Sequence, residues 1–352
     1  MQWGLLKMNQ SKIDNNTSEG FLGLDFKSIG TKILTTYYPL LILILLLIVA
    51  SIISPIFLTS GNLANLLRQQ VTYMIIAIGV LMVMLTGGID LSVSSMAGIS
   101  SIMVAYSLQT WGLGTSSAGL LLAIIIGIGS AFGIGLLNGF LVSIVKVPAI
   151  ITTLATMMAF QGVGFMITKG STILLATKDT GNSILIKFGE HGDPLLGIPY
   201  PIYVAVFVVV LFLLIMKYTT FGRLLISTGS NEAAVRLSGI NTKKYIFWSY
   251  GISGILSGVA GVIITARTAT ATALTASVDY NMTTIAAVII GGTSLLGGEG
   301  SVGFTVVGVF IIAVIGNIMN LINLPTYPQM VVKAAIIIIA VLLKGLTSKK
   351  SH

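Results

Sequence analysis

IYVAVFVVVLFLLIM, residues Ile202–Met216, is an apolar run without a single charge, and GSNEAAVRLSGINTKK, Gly229–Lys244, comes soon after it as a strongly polar stretch in a chain only 8% charged. A second apolar run, Tyr245–Ala266, follows at once. Apolar, polar, apolar on this scale is the pattern of two helices that cross a bilayer with a wet loop between them. About 20 mostly apolar residues cover the hydrocarbon thickness. Lipid offers no partner to an open backbone, so crossing segments are helical.

Working outward, the same pattern covers nearly the whole chain. The 352 residues are 55% hydrophobic with 40 glycines, a membrane composition and not that of a soluble core. Apolar runs bounded by charges, Pro or Gly clusters give ten expected spans: Tyr37–Leu58, Val71–Leu85, Leu91–Leu108, Ala118–Val145, Ile150–Ile167, Ile202–Met216, Tyr245–Ala266, Thr283–Leu296, Val302–Leu321 and Met330–Leu343. The second, eighth and tenth are short, which predicts partial or broken helices, or boundaries that lie elsewhere. The fold class is an all-α polytopic membrane protein. With no cysteine, disulfides, thiol nucleophiles and Cys-based metal sites are excluded.

The formal charge of +9 is explained by topology and not by nucleic acid. Lys and Arg collect in cytoplasmic loops. With the amino terminus inside, thirteen of the 19 basic residues fall in cytoplasmic segments, including Lys146, Lys217, Arg223, Arg236, Lys243 and Lys244. The external side holds Arg68, Lys169, Lys178, Lys187, Arg267 and Lys333. Residues 1–36 then read as a cytoplasmic tail without the pattern of a cleaved signal, 37–343 as the membrane domain and 344–352 as a second cytoplasmic tail. Segment 169–201 is external and long enough to pack a short helix over the outer mouth. Segment 217–244 is the longest internal loop and contains the polar stretch quoted above.

Within that stretch Ser230 or Asn231 suits a helix N-cap and Gly239 a C-cap, with Ala233, Leu237 and Ile240 spaced along one face. Glu232 and Arg236 stand at i, i+4 as an expected ion pair. A helix of two turns is not stable alone in water, so it is expected to pack on membrane ends or on a partner. On physical grounds alone the segment also reads as an ordinary cytoplasmic connector, basic only because such loops are.

The polar stretch resembles the cytoplasmic coupling loop of permease subunits in bacterial ABC importers for ribose, galactose and related monosaccharides. TGGIDLSVSSMAG (Thr86–Gly98), NGFLV followed by VPAIITTLATM (Asn138–Met157), and IIGGTSLLGGEGSVGFTVVG (Ile289–Gly308) resemble the same family in the same order. The resemblance covers about residues 40–343. It implies a homodimer or a pair of similar permeases in the bacterial inner membrane, with both termini cytoplasmic. A periplasmic or lipid-anchored binding protein delivers sugar, and a separate cytoplasmic ABC ATPase drives the cycle. It also implies that Ser230, Asn231, Glu232, Ala233, Arg236, Leu237, Gly239 and Ile240 form the part that seats in the ATPase. The chain has no phosphate-binding GxxxxGK[ST] loop of its own, and GGEGSVG (Gly297–Gly303) lacks the lysine. Glu299 reads as a turn residue or helix cap.

Gly87 and Gly88 permit a sharp turn, after which Asp90 can cap a helix starting at Leu91. A proton-coupling carboxylate is the other reading of Asp90. Interior ionisable residues are otherwise missing, which weighs against an ion-driven transporter. A neutral sugar needs hydroxyl-compatible groups and apolar surface. Asn138, Thr152, Thr153, Thr156, Met157, Phe160 and Gln161 are the expected pathway residues, with Met158, Thr283 and Thr284 as further candidates; all of them also suit plain helix packing. Glycines at Gly129 and Gly133, Gly135 and Gly139, and Gly254 and Gly258 have the small-xxx-small spacing of close helix contacts. Asn138 and Pro148 are echoed by Asn317 and Pro328 around loops on opposite sides, as an inverted repeat would give. No cofactor, metal or catalytic pair is expected. The competing function is a self-sufficient facilitative or secondary transporter of a small neutral solute. Which sugar is carried is not written in these motifs.

Overall fold

The computed structural model describes residues 37–194, 197–273 and 278–348. The expected tail over 1–36 lies outside them, as does the end of the expected tail over 344–352 from residue 349 on; the fold described is that of the unit beginning at Pro39. In chain order the helices are α1 (Tyr38–Ile53), α2 (Ser60–Leu85), α3 (Val93–Gln109), α4 (Ser117–Phe140), which runs on into a π turn (Leu141–Val145), and α5 (Ala149–Thr168). Then come β1 (Ile173–Leu174), α6 (Thr180–Glu190), α7 (Tyr200–Tyr218), α8 (Thr220–Ser230), α9 (Glu232–Leu237) and α10 (Thr242–Thr268). The chain closes with β2 (Thr270–Ala271), α11 (Val278–Ile290), α12 (Val302–Leu321) and α13 (Thr326–Ser348). Beyond helices the described residues add little: β1 and β2 pair antiparallel over two residues each.

Among the described residues, six helical segments are long and apolar enough to cross a membrane: α2, α4 with its π turn, α5, α7, α10 and α12. The remaining expected spans fall on α1, α3 and α11, which are shorter, and on α13. The architecture is all-α and polytopic, as expected.

Two of the three short spans are corrected. Val71–Leu85 is the inner part of a 26-residue helix that starts at Ser60 behind a Thr59 cap. Arg68, Gln69 and Gln70 interrupt the apolar run without interrupting the helix. Met330–Leu343 likewise lies within the 23-residue α13. Thr283–Leu296 is different: α11 stops at Ile290 and the chain turns through Gly291 and Gly292, so this span is short in fact.

The core is built around α3, which is buried on nearly every face, including Ser94, Ser95, Ser100, Ser101 and Ser107. Ser100 Oγ donates to Gly258 O at 2.8 Å, and Ser101 Oγ lies 2.7 Å from Thr265 Oγ1 on α10. Hydroxyls thus bind helices that have no hydrophobic effect between them in lipid. The outer helices α1, α4, α5 and α7 expose Leu45, Leu121, Met166 and Phe207. That apolar outer surface is suited to lipid. Glycines set the closest crossing. A Cβ on Gly135 would lie 3.0 Å from Gly254 Cα, and one on Gly258 2.9 Å from Ile128 Cα, so α4 and α10 meet backbone to backbone. Gly129 and Gly133 differ: a Cβ on either would meet nothing within 4 Å among the described residues.

The loops gather at two ends. At one end Gly298 N donates to Leu85 O at 3.0 Å, Ser230 Oγ to Gly298 O at 3.4 Å, and Lys146 Nζ approaches Glu232 at 3.5 Å. At the other, β1 pairs with β2, Arg267 donates to Arg68 O at 3.2 Å, and Asn62 and Asn317 bond reciprocally. Segment 169–201 joins this second end and folds its middle into α6.

Candidate functional site

Two features stand out from ordinary helix packing: an irregular segment inside the bundle, and a projecting helix at the end that holds Lys146.

The 26 residues of α2 reach about 39 Å, whereas the 17 of α3 reach only about 25 Å. The connection Thr86–Ser92 therefore rises from the end of α2 into the bundle before α3 begins. Gly87 adopts φ +78, a conformation few residues but glycine tolerate. Gly88 is required for another reason: a Cβ there would lie 2.6 Å from the Tyr250 hydroxyl. Non-helical backbone at this depth is tolerated only where protein groups satisfy it, and four helices supply them. Asp90, fully buried, accepts from Ser92 N at 2.9 Å, Ser92 Oγ at 2.6 Å and Ser253 Oγ of α10 at 2.8 Å. Asn138 of α4 donates to Ser92 Oγ at 2.8 Å. Thr153 of α5, whose hydroxyl lies 2.9 Å from Ala149 O of its own helix, also reaches Ile89 O at 3.2 Å.

Asn281 of α11 completes the arrangement. Its amide donates to Leu91 O at 2.6 Å and its oxygen accepts from Ser94 N at 2.8 Å. The expected cap is thus reassigned: α3 begins at Val93 and not Leu91, Asp90 fastens the turn, and Asn281 accepts from the second helical donor, Ser94 N. Asn281 lies one turn into α11, so the amino ends of α3 and α11 meet inside the bundle.

Beside this junction, Ser94, Ser95 and Gly98 of α3 and Met157, Phe160 and Gln161 of α5 line a pocket. Three expected pathway residues are therefore brought together, with no charge among them. The other four are not. Thr152 and Thr156 turn their hydroxyls onto Pro148 O and Thr152 O at 3.1 Å, within their own helix turns. Thr153 and Asn138 serve the junction. Met158 is exposed on α5, Thr284 bonds back to Tyr280 O at 2.6 Å, and Thr283 lines a separate recess. Asn281 was missed because its signal is a single amide just outside an apolar run.

At the Lys146 end, α9 is capped as its sequence requires. Asn231 Oδ1 accepts from Ala234 N at 2.9 Å, and Gly239 closes the helix with φ +81. Ser230 ends α8. Glu232 does not pair with Arg236: it binds Lys146 Nζ at 3.5 Å and accepts from Thr242 Oγ1 at 3.0 Å, contacts that anchor α9 to its own bundle. Ala233 and Arg236 are exposed, Ile240 is half-buried, and Leu237 is 88% exposed. The expected apolar face thus finds no cover within the described residues. The joint behind it is close-packed: a Cβ on Gly229 would strike Leu85 O and lie 2.6 Å from Gly298 N. Leu296, in the turn after α11, is 85% exposed beside this joint.

A family model described as "Branched-chain amino acid transport system / permease component" matches residues 62–341. The ribose import permease protein RbsC of Bacillus subtilis is 40% identical, over 87% of this chain and 91% of its own length. RbsC of Haemophilus influenzae is 38% identical over 85% and 90%. The L-arabinose transport system permease protein AraH of Escherichia coli is 32% identical over 88% and 90%. No solved structure matches the chain.

Proposed function

The chain belongs to the family of branched-chain amino acid transport system permease components, and from that premise we propose that it is the membrane-spanning subunit of an ATP-driven bacterial importer of a ribose-like monosaccharide. It is a multi-pass membrane protein and a transport component, not an enzyme. In this reading a separate cytoplasmic ATPase supplies the energy, an external binding protein supplies the sugar, and a second permease copy or a similar subunit completes the corridor.

The observation that carries the proposal is α9, a capped helix anchored behind and apolar in front. Leu237 and Ala233 present a face that a two-turn helix must cover with a partner. Lys217, Arg223, Lys243 and Lys244 flank it in sequence and Lys146 reaches Glu232 at 3.5 Å, which supports a cytoplasmic position for this end. The opposite end, with α6 and the β1–β2 pair, is then external. Closure of the ATPase pushes α9 through the Gly229–Gly298–Leu85 joint, and so moves α2 and the α11–α12 turn as well as α8 and α10. Those elements lead to the junction where α3 and α11 meet, beside a small pocket whose lining carries no charge, in keeping with a neutral solute.

Leu237→Asp tests this. The side chain is 88% exposed, so the substitution leaves the permease folded. It is expected to abolish permease-stimulated ATP hydrolysis and coupled uptake in reconstituted vesicles. Undiminished uptake by the variant counts against the role of α9. Uptake by wild-type permease without any ATPase, driven by a sugar or ion gradient, favours the self-sufficient transporter instead.

A further inference from the structure

A second recess, sharing no residue with the pocket beside the junction, lies between α2, α11, α12 and α13 at the end of the molecule opposite α9. Gln69 and Tyr73 are one turn apart on α2, Asn317 and Asn320 on α12, and Gln329 and Lys333 on α13; all six line it together. Lys333, expected on the external side, is half-buried on α13. It stands two turns into α13, about 10 Å along the axis from Thr326. A lysine and a group of amides make this recess polar at the end of an apolar bundle: Gln69 and Asn320 are exposed, and Asn317, Gln329 and Lys333 are half-buried.

The amides are held in place by one another. Asn317 exchanges two hydrogen bonds with Asn62, at 3.0 and 2.9 Å. Gln329 donates to Asn320 Oδ1 at 2.9 Å and to Leu324 O at 2.8 Å, and Gln69 donates to Asn65 Oδ1 at 3.3 Å. These bonds use the donors of Gln329 and leave its carbonyl oxygen, while Asn320 keeps its two amide hydrogens. The recess therefore offers donors and acceptors side by side on supports already fixed. Tyr73, stacked on Tyr280 at 4.6 Å, adds a rigid aromatic surface. Sugar hydroxyls each donate and accept, and sugar C–H faces pack on aromatic rings. An anion fits poorly, because the carbonyl oxygens would repel it and Lys333 is the sole cation lining the recess.

We propose that this recess is an outward-facing binding site for a neutral monosaccharide, gripped by Gln69, Asn317, Asn320, Gln329 and Lys333 against Tyr73. It deepens the import reading and rests on it: sugar released by a binding protein enters here before it passes inward. A smaller neighbouring recess shares Thr283, Ile312 and Lys333 and reaches Ile336.

The absence of cysteine makes a single introduced thiol a clean reporter. Gly316→Cys suits the recess wall, since nothing lies within 4 Å of the Cβ it would gain. The variant is assembled with its ATPase in right-side-out vesicles and treated with a membrane-impermeant maleimide. The thiol is expected to react from outside. D-ribose in the millimolar range is expected to slow its labelling several-fold, while leaving a thiol at Tyr327→Cys, exposed on α13 at the same end, unaffected. Adding Asn320→Leu or Gln329→Leu raises the half-protecting concentration about tenfold, as loss of one or two hydrogen bonds requires. Failure to label from outside, or protection by ribose 5-phosphate in place of ribose, overturns the site. ATP-driven ribose uptake in the same vesicles, with no protection of the thiol, overturns the site and leaves the import reading standing. Absence of both uptake and protection removes both.

Discussion

Gly229 and Gly129 are both helical glycines, and the structure gives them opposite weights. A methyl group at Gly229 would meet Leu85 O and Gly298 N, whereas one at Gly129 meets open space. Gly229→Ala is expected to cost about 1–3 kcal/mol through overpacking. It should lower the melting temperature in detergent and weaken coupling together. Gly129→Ala is expected to be neutral or slightly stabilising, since alanine is the better helix former by up to about 1 kcal/mol. Asp90 carries a different test. Asp90→Ala strands Ser92 and Ser253 in a buried site and is expected to destabilise by about 2–4 kcal/mol. Asp90→Asn keeps an oxygen for Ser92 N and lets Ser253 Oγ accept, so thermal melting should place it much nearer the parent. Its ATP-driven uptake should be retained. A proton-coupling carboxylate would lose uptake in the Asn variant with the fold intact.

At the scale of elements, what could be read from the sequence was what is local. The caps of α9 are Asn231 and Gly239, both within the segment they close, and the structure places both as expected. The partner of Glu232 was not legible, because Lys146 lies in the connection before α5 and only the tertiary fold brings it near. Span boundaries failed where polarity and helicity part company. Arg68, Gln69 and Gln70 look like a loop in a scan for apolar runs, yet they continue α2, and Gln69 and Gln70 line a recess. The pathway residues split for a similar reason. Met157, Phe160 and Gln161 share a pocket, but hydroxyls at Thr152 and Thr156 bond to their own helix, a choice invisible to residue type. The junction itself depends on one distant amide. Asn281→Leu removes the cap of α3 and the tie to Leu91 O, two hydrogen bonds across two helices. Uptake is expected to fall at least tenfold, with a modest fall in melting temperature; uptake equal to the parent would mean that the α3–α11 contact plays no part in transport.

For the whole molecule, the structure joins two distinct regions through continuous contacts. At one end a projecting helix is fixed behind by Glu232 and by backbone contact at Gly229. Within the bundle two partial helices meet at Asn281, next to surfaces that are polar but uncharged. In the proposed reading a separate ATPase imposes movement through the exposed face of α9. A photo-cross-linking amino acid at position 237, with a second at Ser171 near β1, measures this most directly in the assembled transporter. The account predicts that position 237 cross-links to the nucleotide-hydrolysing subunit, that the yield changes when ATP is bound, and that position 171 never reaches that subunit. Cross-linking of position 237 to an external protein, or no contact with the ATPase in any nucleotide state, would contradict it.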